Sequence, residues 1–182
     1  MTESGLPPRD PSRTSPWLVM EIYDRLRDAL FNRKYYGAKL VAARRLNKTF
    51  DIMLALLTSG AIGSWVIWKT PAGRQVWAVL ASVAAVLAVV KPFIGWPEDI
   101  ERYAYLHAGY TGLYFELKQL ANEMKIERGV SPALHARFRE ASARYAKLGS
   151  HDDISPSPRL MKRCYEEVLR EIPADLLWVP AE

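Results

Sequence analysis

Few residues in this 182-residue chain have the type and spacing for bond-making chemistry. His107, His135 and His151 stand on three different segments, without the i, i+4 spacing that puts two imidazoles on one helical face for a metal. Cys164 is the single cysteine, so neither a disulfide framework nor a cysteine-rich zinc site can form. Asp152 and Asp153 follow His151 and read either as a cation-binding cluster or as a charged loop turn. No phosphate-cradling GxxxxGK[ST], no GxGxxG and no G-x-S-x-G nucleophile turn occurs. The sequence therefore points away from an enzyme, and no catalytic residue, cofactor or metal is expected.

What must position the remaining residues is a set of helices. Nothing alternates with period two for long, so the chain is expected to be all-α. Residues 1–16 hold four Pro, three Ser and two Thr, which suggests a disordered tail. From Ile22, the residues Leu26, Ala29, Tyr36, Leu40, Ala43 and Phe50 recur at steps of three and four, interrupted by Arg33 and Asn47, and predict a basic amphipathic helix over 17–49. No Gly or Pro breaks Ala38 to Ser59, so one rod is expected to continue into the next segment.

Charge is segregated along the chain. Seventeen residues from Ile52 to Trp68 and sixteen from Gln75 to Val90 carry none, with Lys69 and Arg74 between them. A hydrocarbon core of ~30 Å needs about 20 helical residues. Extending the first run back to Phe50, and starting the second at Pro71 behind an N-cap at Thr70, gives two candidate spans, about 50–68 and 71–90, within a hairpin over 50–96. Two buried helices of a soluble bundle are the competing reading. Against it stand the absence of a polar stripe, and aromatics gathered at both ends as interfacial belts, among them Trp65, Trp68, Trp77 and Trp96.

Lys39, Arg44, Arg45 and Lys48 precede the first run and Lys91 follows the second, as topology determinants that contact lipid. Residues 1–50 carry ten basic and five acidic side chains and the remainder fifteen of each, so the net charge of +5 lies wholly at the first end. That placement favours a lipid bilayer over nucleic acid and predicts a multi-pass membrane protein with both termini cytoplasmic.

Ser59, Gly60, Gly63 and Ser64 form small-xxx-small pairs, as do Ala81 with Ala85 and Ala84 with Ala88. Such faces let helices approach closely. One face on the second run is left for a neighbouring subunit, so a homo-oligomer is expected. Beyond Pro97 the expected cytoplasmic helical region, 97–182, holds three helices. The first carries the stripe Tyr103, Tyr110, Leu113, Leu117, Leu120 and Met124 and stops near Gly129. The second runs from an N-cap at Ser131 to Gly149, and the last over about Arg159 to Glu171.

The segment Tyr36-Gly37-Ala38-Lys39-Leu40 through Arg45-Leu46-Asn47-Lys48, the two apolar runs, and Tyr103 through Leu120 resemble the SLATT family over about residues 17–126. These are two-span effector domains associated with nucleotide-synthesising and nucleotide-sensing proteins of bacterial conflict systems. The resemblance implies a membrane effector of anti-phage defence in the bacterial inner membrane, which oligomerises to permeabilise or depolarise that membrane when a nucleotide-signalling partner triggers it. The alternative is a membrane-anchored helical scaffold that recruits a partner without forming a pore.

Overall fold

A computed structural model describes residues 16–58, 70–91, 96–152, 156–174 and 177–179. Among them every regular element is helical: α1 (Pro16–Thr58), α2 (Pro71–Val90), α3 (Trp96–Glu127), α4 (Pro132–Gly149) and α5 (Pro158–Glu171). The chain divides into two compact units, one of residues 1–36 and 105–182 and the other of Gly37–Ala104. The boundaries fall inside α1 and α3.

The first unit is a helical bundle. The first part of α1 buries Val19, Ile22, Tyr23, Leu26, Ala29 and Leu30, and α3 buries Leu106, Tyr110, Leu113, Leu117, Leu120 and Met124, each set at helical spacing. Leu134, Phe138, Ala141 and Leu148 of α4 and Cys164 and Val168 of α5 complete the core. Each fully buried Leu or Ile contributes roughly 1.5–3 kcal/mol of transfer free energy. Gly109 on α3 makes the approach of α4 possible. A Cβ there would lie 2.5 Å from Leu148 Cδ2.

Helix ends follow local chemistry. Ser131 Oγ accepts from Leu134 N at 3.4 Å ahead of Pro132. At the end of α3, Arg128 takes the left-handed conformation (φ 51°) and Gly129 N donates to Met124 O at 3.2 Å. The stop is a Schellman turn with arginine, not glycine, in the strained position. The glycine foreseen as the stop is its neighbour.

In the second unit, Thr70 Oγ1 accepts from Gly73 N at 3.0 Å and starts α2, which ends at Val90. Lys91 forms an ion pair with Asp51 of α1. Gly73 and Ala84 of α2 are buried and Leu80 and Leu87 half-buried, so one side of this helix is covered. The other side is open: Val79 is 62%, Val86 61% and Val89 66% exposed.

The expected transmembrane hairpin is overturned. Among the described residues no helix is long and apolar enough to cross a membrane. Charge placement supplies the reason. Arg74 sits in the first turn of α2, leaving sixteen uncharged residues, Gln75 to Val90. At 1.5 Å per residue these make ~24 Å of helix against a hydrocarbon core of ~30 Å. In α1 the last charge is Asp51, and of the uncharged run after it Ile52–Thr58 are the described residues. The multi-pass inner-membrane placement loses its basis with the spans, and so do the transmembrane and pore-forming readings. The all-α expectation agrees with every described element. The tail residues 1–15 and the connector 59–69 lie outside the described residues.

Candidate functional site

The structure separates the residues with chemical potential instead of gathering them. His135 and His151 are exposed on or just after α4. His151 Nδ1 lies 3.2 Å from Lys147 O, and its ring meets Tyr105 edge-on. His107 Nδ1 lies 3.0 Å from Arg33 O, where it ties α3 to α1 inside the first unit. Among the described residues no group of three His, Cys, Asp or Glu is placed to hold a metal ion. Cys164 is buried, and that burial pushes its thiol up from the usual range, which keeps it protonated and unreactive at neutral pH.

Asp152 has a different task from cation binding. Its Oδ1 accepts from the Tyr36 hydroxyl at 2.9 Å and the Tyr110 hydroxyl at 3.0 Å. The two phenol rings stack at 5.8 Å with their planes 2° apart. Tyr145 meets Tyr110 edge-on, receives a hydrogen bond from Asn32 at 3.2 Å and has the Arg25 guanidinium 4.6 Å above its ring. One carboxylate in the turn after α4 thus pins the hydroxyls of two buried tyrosines, one from α1 and one from α3. Burial, then the charge and hydrogen bond of Asp152, hold the Tyr110 hydroxyl far above its usual pKa. A phenol so held is a donor and not a base or nucleophile. The centre is a structural clasp that holds the buried Tyr36 and Tyr110.

Further polar ties close α5 and the chain end onto α1. Arg27 donates from Nε and Nη2 to Ile172 O at 3.2 and 2.9 Å. Lys34 pairs with Glu167 and Glu171. The Tyr35 and Tyr23 hydroxyls accept from Ser157 N and Trp178 N. Nothing in linear spacing joins residue 152 to residues 36 and 110, or 27 to 172, so these partners had no signal in the sequence.

The residues expected to pack helices or touch lipid fall in the second unit or outside the described residues. Ser59, Gly60, Gly63, Ser64, Trp65 and Trp68 lie outside them, as do the side chains of Trp77 and Trp96. On α2, Ala84 is 5% exposed on the covered side, while Ala81, Ala85 and Ala88 are exposed. Arg44, Arg45 and Lys48 are exposed on α1, whereas the Lys39 ammonium lies 5.3 Å from the Tyr103 ring centroid and Lys91 is paired with Asp51. The candidate site of this unit is therefore the open valine face of α2, and Ile52 and Met53 of α1 are exposed as well.

Comparison with protein-family models, curated proteins and solved structures gives no match.

Proposed function

We propose that the chain is a helical scaffold that self-associates through the open side of α2 and thereby presents its helical bundle to a protein partner. A single observation carries this reading. Val76, Val79, Val83, Val86 and Val90 are at least two-fifths exposed on a helix whose other side is already covered. A contiguous apolar face of this kind marks an interaction surface. The rigid branched valines lose little rotamer freedom on burial, which lowers the entropic cost of covering them. The SLATT resemblance supplies the class of partner, a protein that makes or senses a nucleotide signal. The scaffold needs no membrane span to act on it.

Light scattering and native mass spectrometry on the full chain test the assembly. The expected result is a homo-oligomer, converted to monomer by the triple substitution Val79→Ser, Val83→Ser and Val86→Ser with the melting of the first unit unchanged. A wild-type monomer, or an unaltered oligomer in the variant, would overturn it.

A further inference from the structure

Beside its core the first unit keeps an open groove of roughly 190 Å³ between α1, α3 and the stretch that follows α5. Its floor is buried and largely apolar, with Tyr23 and Leu26 from α1 and Tyr114 and Ala121 from α3. Ile172 and Leu177 form the far wall. That wall is tied in place. Ile172 O accepts both hydrogen bonds of Arg27, Leu177 N donates to Ala174 O at 3.2 Å, and Trp178 N donates to the Tyr23 hydroxyl at 3.3 Å. The near rim is polar: Lys118, Asn122 and Lys125 recur at steps of four and three, so they share one side of α3, where all three are exposed.

The charge of this rim follows from how the neighbouring acids are used. Glu116 and Glu123 of α3, which flank Lys118 and precede Lys125 in sequence, are paired with Arg144 and Arg137 of α4. Glu171, the one acid among the described lining residues, is held by Lys34. Burial raises the Tyr23 pKa against the opposing hydrogen bond from Trp178, so the phenol adds no negative charge. Among the described residues neither Lys118 nor Asn122 has a hydrogen-bond or ion-pair partner. The Lys118 ammonium stands 5.9 Å from the centroid of the Tyr114 ring and the Lys125 ammonium 6.0 Å from that of Tyr23. Each floor ring thus has a cation beside it. Phosphate is the poorer match, because these lysines sit in mid-helix, where backbone N–H groups are spent within α3, and no arginine fork lines the groove among the described residues. An apolar cavity of about 150 Å³ holds a benzene, so this groove admits one ring and no long acyl chain.

We infer that the groove binds a small aromatic monocarboxylate, its ring laid against Tyr23 and Tyr114 and its carboxylate held by the Lys118 ammonium and the Asn122 amide. Lys118 and Asn122 are one turn apart, about 5–6 Å between Cβ atoms, so both reach one carboxylate. Lys125, ~10 Å along the axis from Lys118, adds to the attractive field. The site lies wholly in the first unit and does not rest on assembly through α2.

Calorimetric titration of the full chain with 3-phenylpropionate tests this, with 3-phenylpropionamide and acetate as controls. One site per chain is expected for 3-phenylpropionate. The amide, which lacks the charge, and acetate, which lacks the ring, should each bind weaker by about tenfold or more. Lys118→Glu, an exposed change that leaves the core intact, should weaken 3-phenylpropionate by about tenfold or more at an unchanged melting temperature, and Lys118→Arg should stay within about threefold of wild type. No binding of 3-phenylpropionate, equal binding of the amide or of acetate, or an affinity indifferent to Lys118→Glu would each overturn the inference.

Discussion

The two units use similar helices to opposite ends. In the first, every large apolar residue of the bundle core faces another helix, and three polar groups at its margin are matched: Asp152 by two tyrosines, Arg27 by a carbonyl, Lys34 by two carboxylates. In the second, α2 is more apolar than any helix of the bundle and yet most of its valines are open to solvent. Apolar content therefore does not by itself decide burial. A helix is buried when neighbours surround it, and α2 has cover on one side only.

Core truncation should separate the units most. Leu117→Ala removes a wholly buried side chain from α3 and should cost about 2–5 kcal/mol, while Val86→Ala should stay within about 0.5 kcal/mol of the monomer's stability. Urea unfolding of both variants checks this, and equal costs would erase the contrast. Next in size, Asp152→Ala strands the hydroxyls of Tyr36 and Tyr110 and should cost about 2–4 kcal/mol. Asp152→Asn, which keeps one acceptor oxygen, should lose less than half of that in the same assay.

Arg128→Gly relieves a left-handed residue and should add about 1 kcal/mol, read as a higher melting temperature. The smallest effect is one of pH. Hydrogen bonding to Glu171, then Glu167, raises the Lys34 pKa in the folded chain against the opposing effect of partial burial. A raised folded value means stability fully present below the ordinary lysine range and lost as pH climbs through and above it. The loss should be about 1 kcal/mol or less for a screened pair, and Lys34→Met should abolish that alkaline slope in a pH series of melting curves.

The two predicted spans show where one-dimensional reading stopped. Gln75 to Val90 is apolar all round, and that pattern is the same for a membrane helix, a buried helix and a helix awaiting a partner. What distinguishes them is length against a solvent slab and the presence of neighbours. The helix starts at Pro71, and Arg74 just inside its first turn shortens the uncharged run to the sixteen residues Gln75 to Val90. His107, His135 and His151 stand on separate segments, and among the described residues none joins a group of three His, Cys, Asp or Glu placed for a metal. Asp152, by contrast, read as part of a charged turn, because its partners stand 42 and 116 residues away.

Local signals were sufficient for the helices. Thr70 before Pro71, Ser131 before Pro132, and the spacing of Leu26 and Ala29 or of Leu113, Leu117 and Leu120 act over one or two turns, so they survive without knowledge of the fold. Which tyrosines are buried, what Asp152 binds, and which side of α2 stays open are matters of tertiary structure. They depend on groups far apart in sequence that meet only when helices pack, and the side of a helix left uncovered is defined by neighbours the chain places elsewhere.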